Sequence, residues 1–174
     1  YAIVAPDVLG TAGQVAAKPV PVDRTFAGYT FGYNRPRLAE QVQDVLTAIT
    51  FARTTLGARR VLLVGWGAMG PAAVMARALA GDAVVKAAAD VNRFRFDAIT
   101  ATDDPMMLPG AVKYGGLGAF LALCAPGEVL THNHSGTGSG RVAEAAYAAA
   151  GGKEKLARNG DKLDDARVVE WLLR

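Results

Sequence analysis

The chain contains only two histidines, and both lie in the short segment "THNHSGTGSG". His132 and His134 are separated by one residue and follow an apolar stretch that predicts a strand over 128–131. Residues i and i+2 of an extended strand point to the same face, so we expect both imidazoles to face one ligand. Ligands of α/β proteins bind at the carboxyl ends of the strands. The pattern therefore predicts a ligand site at these two histidines.

A His-x-His pair at a strand end is one way to hold a divalent metal ion, which would make a bound water nucleophilic near neutral pH. Ser135 follows directly, so a Ser-His pair is a second interpretation of the same segment. A polar loop whose histidines cap backbone groups or face solvent is the third. Four carboxylates are candidates to complete a metal site: Asp7, Asp90, Asp103 and Asp104.

A glycine-rich turn lies in "RRVLLVGWGAMGPAAVMARAL", residues 59–79. Gly65, Gly67 and Gly70 fit the pattern G-x-G-x-x-G, and Asp90 stands 20 residues beyond Gly70, at the end of the next apolar run. This spacing predicts NAD(P) binding, with the pyrophosphate on the helix N-terminus and the aspartate on a ribose hydroxyl. Pro71 removes one N–H from that turn. A small-residue turn between any parallel strand and helix also satisfies much of the pattern, so the prediction stays open.

The composition predicts one globular domain over residues 1–174, since 51% of the 174 residues are hydrophobic and 20% are charged. The net charge of +3 is small and scattered, which argues against a nucleic-acid partner. No apolar stretch is long enough to span a membrane, and no signal sequence is visible, so we expect a cytoplasmic protein by default. Cys124 is the only cysteine, and its apolar neighbours predict a buried thiol.

Strands and helices alternate along the chain. Apolar residues at steps of three and four predict a helix from Asn34 to Gly57. Tyr29, Phe31 and Tyr33 alternate like an exposed strand or a pocket wall. The remaining predicted strands cover 2–5, 60–64, 84–91 and 128–131, and the remaining predicted helices cover 71–81, 117–124, 141–150 and 164–173. The order predicts an α/β fold, a small parallel sheet with helices on both faces in three layers.

Several segments resemble α/β-hydrolases of the dienelactone hydrolase and acetyl xylan esterase branch, over roughly residues 1 to 150. "YAIVAPDVLGTAG" is similar to the strand and acidic loop before the nucleophile elbow, and "RPRLAEQVQDVLTAITFARTTLGARRVLLVGWG" looks like the helix, strand and elbow that follow. "GDAVVKAAADV" and "GAFLALCAPGEVLTHN" resemble the two strands after the elbow. The resemblance implies a hydrolase fold with a small-molecule ester as substrate.

The chain departs from that family at the catalytic residues. Gly67 stands where the resemblance expects the serine, and Met69 occupies a position that the family keeps small. The segment "HNHSGTGSG", which follows the strand at 128–131, supplies no aspartate, and no histidine follows His134, so a Ser-His-Asp triad is excluded. We therefore expect ester or phosphoester hydrolysis by His132, His134 and Ser135 at the carboxyl edge of the sheet. A catalytically silent interaction module is the alternative, and the dinucleotide-binding domain is a further one.

The resemblance also implies that the family's first strands would lie before Tyr1, so we expect a fragment of a longer domain. One edge of the sheet would then be bare. Since bare edges pair with other strands, we expect a homodimer or a missing N-terminal segment to cover it.

Overall fold

The computed structural model describes residues 1–11, 21–136 and 140–174. It contains a four-stranded parallel sheet in the order β1-β2-β3-β4, in which each strand pairs with the next one along the chain. The strands are β1 (Leu62–Gly65), β2 (Lys86–Asp90), β3 (Glu128–His132) and β4 (Leu156–Arg158). The predicted α/β fold with a parallel sheet is confirmed.

Six α-helices are present in this part of the chain: α1 (Ala27–Tyr33), α2 (Arg37–Thr54), α3 (Gly70–Ala80), α4 (Gly116–Leu123), α5 (Arg141–Ala149) and α6 (Asp165–Leu173). Helices α3, α4 and α5 connect successive strands, and they pack against one another, with α2 beside α3. Because parallel crossovers are right-handed and all run in one direction here, these helices share one face of the sheet. Across the described residues, no helix is both long and apolar enough to cross a membrane.

The core is divided by the sheet into two apolar clusters. The larger cluster joins α2, α3, α4 and α5 to Ala87, Ala89 and Val129. The smaller cluster joins Val168 and Leu172 of α6 to Ala88 and Leu130. Neighbouring residues of one strand point to opposite faces, so α6 covers the second face and is the only helix of the described residues in that cluster. Helices on both faces, as the sequence predicts, are confirmed.

Three arginines place their guanidinium groups in the space that a side chain at a neighbouring glycine would otherwise occupy. A Cβ added at any of these glycines would overlap the guanidinium of its arginine, and the three pairs are Arg37 with Gly10, Arg77 with Gly127 and Arg158 with Gly140. The Nε atom of each arginine is buried without a hydrogen-bond partner in the described residues. Each guanidinium also donates through a terminal nitrogen: Arg37 Nη2 to Gly10 O (3.1 Å), Arg77 Nη1 to Gly81 O (2.7 Å) and Arg158 Nη1 to Glu144 Oε1 (2.8 Å).

Two predicted elements differ from the structure, and one strand was not predicted. Residues 2–5 form no strand, and Ile3 is 93% exposed, because no neighbouring strand in the described residues pairs with them. The alternating aromatic residues at 29, 31 and 33 lie in the short helix α1, which buries none of its residues. Strand β4 was not predicted, since its three residues follow a lysine- and glutamate-rich turn and show no apolar pattern.

Candidate functional site

Asp90 and His132 are direct neighbours at the carboxyl edge of the sheet. They are the last residues of β2 and β3 and are partners in the strand register. Ala88 and Leu130, two residues earlier on the same strands, pack against α6, so Asp90 and His132 lie on the α6 face as well. Their exposed fractions are only 1% and 0%. A carboxylate and an imidazole are thus buried side by side.

The Asp90 carboxylate is held by donors from three segments. Its Oδ1 accepts hydrogen bonds from the Asn92 main-chain N–H (2.8 Å) and from Asn133 Nδ2 (2.7 Å), and its Oδ2 lies 3.5 Å from Lys162 Nζ. Burial by itself would raise the pKa of Asp90. The two hydrogen bonds outweigh burial, together with the charges of His132 and Lys162, and lower the pKa below its ordinary value. Asp90 is therefore an ionised acceptor and a weak base.

His132 has one engaged ring nitrogen and one free ring nitrogen. Nδ1 accepts a hydrogen bond from the Leu163 main-chain N–H at 3.2 Å, so the neutral ring carries its proton on Nε2. Nε2 is buried and has no hydrogen-bond partner among the described residues. Burial lowers the pKa of His132, aided by Lys162 and opposed by Asp90 and Asp165. The ring is therefore neutral near pH 7 and offers one unused donor.

The backbone between His132 and His134 is not extended, so the two side chains are not placed on one face of a strand. β3 ends at His132, and Asn133 has a left-handed backbone with φ of 62°. His134 Nε2 lies 2.9 Å from Thr131 Oγ1, and burial, followed by the charge of Arg158, lowers the pKa of His134 to about 4. No hydrogen bond joins Ser135 to either histidine within the described residues. The assumption that residues 132–134 continue the extended strand was therefore wrong at Asn133.

Residues 159–163, here called the strap, close the edge above His132. Four hydrogen bonds tie the strap to β3 and the residues after it: Asn159 N to Thr131 O (2.9 Å), His134 N to Gly160 O (3.0 Å), Asn133 N to Asp161 O (3.0 Å) and Leu163 N to His132 Nδ1 (3.2 Å). His132 is fully buried, and the Leu163 N–H of the strap contacts its ring directly.

Backbone strain is concentrated at this edge. The residues other than glycine with positive φ in the described chain are Asn92 (49°), Arg93 (54°) and Asn133 (62°). Asp90 binds two of them, and the Arg93 N–H donates to the Asn133 carbonyl at 2.7 Å. Residues held in this region of backbone space cost energy and cluster at functional sites. The strain marks the carboxyl ends of β2 and β3 as the candidate site.

Packing explains two of the three glycines in the turn after β1, and a positive φ explains the third. Gly67 has a φ of +53°, and an added Cβ there would meet nothing within 4 Å. A Cβ at Gly70 would overlap the main-chain carbonyl of Asp90, and one at Gly65 would overlap Ala73. Gly65 and Gly70 thus let α3 approach β1 and β2 closely. Asp90 is 1% exposed, and its carboxylate already accepts two hydrogen bonds on Oδ1. Dinucleotide binding stays a prediction.

The described residues do not gather a cluster of metal ligands. Within residues 1–11, 21–136 and 140–174, no group of three or more histidine, cysteine, aspartate or glutamate side chains is placed to hold a metal ion. Asp103 pairs with Arg24 at 2.7 Å, and Asp104 accepts the Met106 main-chain N–H at 2.8 Å. Metal binding by His132 and His134 stays a prediction. The predicted burial of Cys124 is confirmed, and burial raises the pKa of this thiol to about 11.

Sequence reasoning missed Asn133, Lys162 and the Leu163 main-chain N–H. Asn133 lies between the two histidines, and asparagine is one of the residues that enter left-handed turns, so its type was a usable signal. Lys162 and Leu163 reach the site only because the chain returns from β4 across the end of β3. Nothing in the local sequence indicates that return.

The fold and this edge define an α/β domain with a four-stranded parallel sheet. Compared with models of known protein families, with curated proteins and with solved structures, the chain gives no match in any of the three comparisons. The structure therefore supports the α/β class, and the resemblance to α/β-hydrolases stays a prediction.

Proposed function

We propose that the carboxyl edge of the sheet hydrolyses a small ester or phosphate ester without a serine nucleophile. The observation that carries this proposal is the fully buried His132, whose Nε2–H has no partner in the described residues. His132 is the register partner of Asp90, and Lys162 pairs with the Asp90 carboxylate. An unpaired buried donor is costly unless something uses it. A carbonyl or phosphoryl oxygen is the natural acceptor.

In this proposal the site stabilises charge. The His132 Nε2–H donates to the substrate oxygen on which negative charge develops, and Lys162, 65% exposed in its side chain, adds a positive charge beside it. The lowered pKa of Asp90 makes it a poor general base, so its role is to hold Asn133 and Lys162 in place. Water is the attacking group, because Gly67 supplies no nucleophile and no hydrogen bond joins Ser135 to either histidine within the described residues. One such donor contributes about a hundredfold to a thousandfold in rate.

Substrate access in this proposal requires the strap to open. The ring of His132 has no solvent exposure in the closed arrangement. Two surface clefts, of about 740 and 400 Å³, lie elsewhere: the first beside Asp103 and Asp104, the second along α4. Neither is lined by His132, so the site needs a second conformation of residues 159–163.

A catalytically silent α/β module is the second candidate function. The observation that favours it is that the lone pair of His132 is already used by Leu163 and the elbow position holds Gly67. In that case the network around Asp90 serves only to join β2, β3 and the strap, and the module acts through its surface.

The test is hydrolysis of p-nitrophenyl carboxylic and phosphate esters by the purified chain, with and without a chelator. We expect chelator-resistant turnover that falls about a hundredfold in His132→Phe, which removes the donor, and that persists in His134→Gln. Circular dichroism checks that each variant is folded. Turnover that the chelator abolishes would support a metal at His132 and His134. A well-folded wild type without turnover would leave the silent module as the better proposal.

A further inference from the structure

We propose that Asn159 is a site of spontaneous covalent modification, at which the chain converts asparagine to aspartate and isoaspartate. The sequence has four asparagines, and Asn159 is the only one followed by glycine; arginine or histidine follows the others. Glycine has no Cβ to keep its nitrogen away from the preceding side chain. This inference is independent of whether the carboxyl edge hydrolyses an ester.

The local geometry leaves the reacting atoms available. Gly160 is exposed, a Cβ placed on it would meet nothing within 4 Å, and its N–H makes no hydrogen bond to the described residues. Asn159 Oδ1 accepts the Asp161 main-chain N–H at 3.0 Å. That hydrogen bond draws electron density from the Asn159 side-chain carbonyl carbon and makes it a better electrophile. Nucleophile and electrophile are thus adjacent in the strap.

The reaction balances without any oxidant or cofactor. The Gly160 main-chain nitrogen attacks the Asn159 Cγ and loses its N–H proton to solvent, and the side-chain nitrogen takes up a proton from solvent and leaves as ammonia. The product is a five-membered succinimide. Water then opens the ring at one of its two carbonyls and gives either aspartate or isoaspartate.

The modification falls where the strap is held. The His134 N–H donates to Gly160 O and the Asn133 N–H donates to Asp161 O, immediately after the reacting bond. Isoaspartate adds one methylene to the main chain at residue 159, so these bonds and the Leu163 bond to His132 cannot all keep their register. We therefore expect the strap to loosen over His132. Aspartate adds only a negative charge, near Arg158 and Lys162, and keeps the chain length.

The experiment is ageing of the purified full chain at about pH 8 and 37 °C, followed by peptide mapping. We expect a mass gain of about one dalton at Asn159 before any other asparagine, with isoaspartate detected by enzymatic methylation. Gly160→Ala is the matched control, because its new Cβ has open space, yet it hinders the attack; the mass gain should be lost or slowed severalfold. Equal reaction at another asparagine, or no effect of Gly160→Ala, would overturn the assignment.

Hydrogen exchange tests the consequence for the strap. The Leu163 and His134 amides should exchange faster in the isoaspartate form than in the fresh protein, while Asn159→Asp should keep the protection of the fresh protein. Unchanged protection in the isoaspartate form would overturn the loosening. Protection lost equally in Asn159→Asp would show that charge, and not the added methylene, releases the strap, which also contradicts the mechanism.

Discussion

Mild acid should destabilise the fold through His134. Its pKa is lowered from 6.5 to about 4, because the ring is buried and faces Arg158. Between these two values the unfolded chain binds a proton that the folded chain does not bind. Stability therefore rises with pH in this interval and is lost as the pH falls through it.

The magnitude follows from the shift. One pKa unit corresponds to about 1.4 kcal/mol, so complete protonation of His134 would lower the free energy of unfolding by about 3 kcal/mol. Lowering the pH from about 7 to about 4.5 would lower the free energy of unfolding by about 2 kcal/mol. His132 contributes with the same sign, since burial lowers its pKa too. Asp90 does not contribute here, because the stability from its lowered pKa is lost only below its ordinary value of 3.8.

Urea unfolding at a series of pH values measures the effect. With a denaturant slope of about 2 kcal/mol per molar, the wild-type midpoint should fall by about 1 M over the interval. His134→Gln keeps a polar group beside Thr131 but removes the titration, so its midpoint should fall much less. The double variant with His132→Gln leaves no histidine in the chain and should be nearly flat. Parallel pH profiles for the wild type and His134→Gln would refute the reasoning.

Three other predictions concern packing, capping and assembly. Gly70→Ala should lower the free energy of unfolding by about 3 kcal/mol, since its Cβ would overlap a β2 carbonyl. Gly67→Ala should lower it by about 1 kcal/mol, because only its positive φ is strained. Equal losses on urea unfolding would contradict this. Asp164→Ala should cost about 1 kcal/mol in thermal unfolding, because its carboxylate accepts an N–H in the first turn of α6 at 2.9 Å, and Asp164→Asn should retain that stability. The outer edge of β1 pairs with no strand in the described residues, and we propose that two chains pair there. Light scattering should find a dimer that Val64→Lys dissociates. A wild type that stays monomeric at high concentration would contradict the pairing.

The elements that the sequence predicted well are those with a strong local pattern. Helix α2 repeats its apolar residues at helical spacing, and β2 and β3 are apolar runs that end at polar residues. Strand β4 has only three residues and takes its conformation from β3, so its pairing is a tertiary effect. Residues 2–5 show the reverse case. Their strand-like sequence has no neighbouring strand in the described chain to bond with.

The candidate site was predicted in part. The two histidines and Asp90 were each identified, but in separate hypotheses, and their neighbourhood depends on the register between β2 and β3. Register is a property of the assembled sheet and is not written into either strand alone. The left-handed turn at Asn133 then changed the direction of His134. Long-range contacts from Lys162 and Leu163 complete the site.

The three arginine–glycine pairs make distant positions dependent on each other. Gly127 tolerates no Cβ while Arg77 occupies the space beside it, and the same holds for Gly10 with Arg37 and Gly140 with Arg158. At Gly10 the positive φ of 77° strains any side chain, so a change at Arg37 alone would not relieve a substitution there. At Gly127 and Gly140, a larger residue should be rescued in part by a shorter residue at Arg77 or Arg158. This second-site suppression would link the turn before β3 and the start of α5 each to a single side chain elsewhere in the fold.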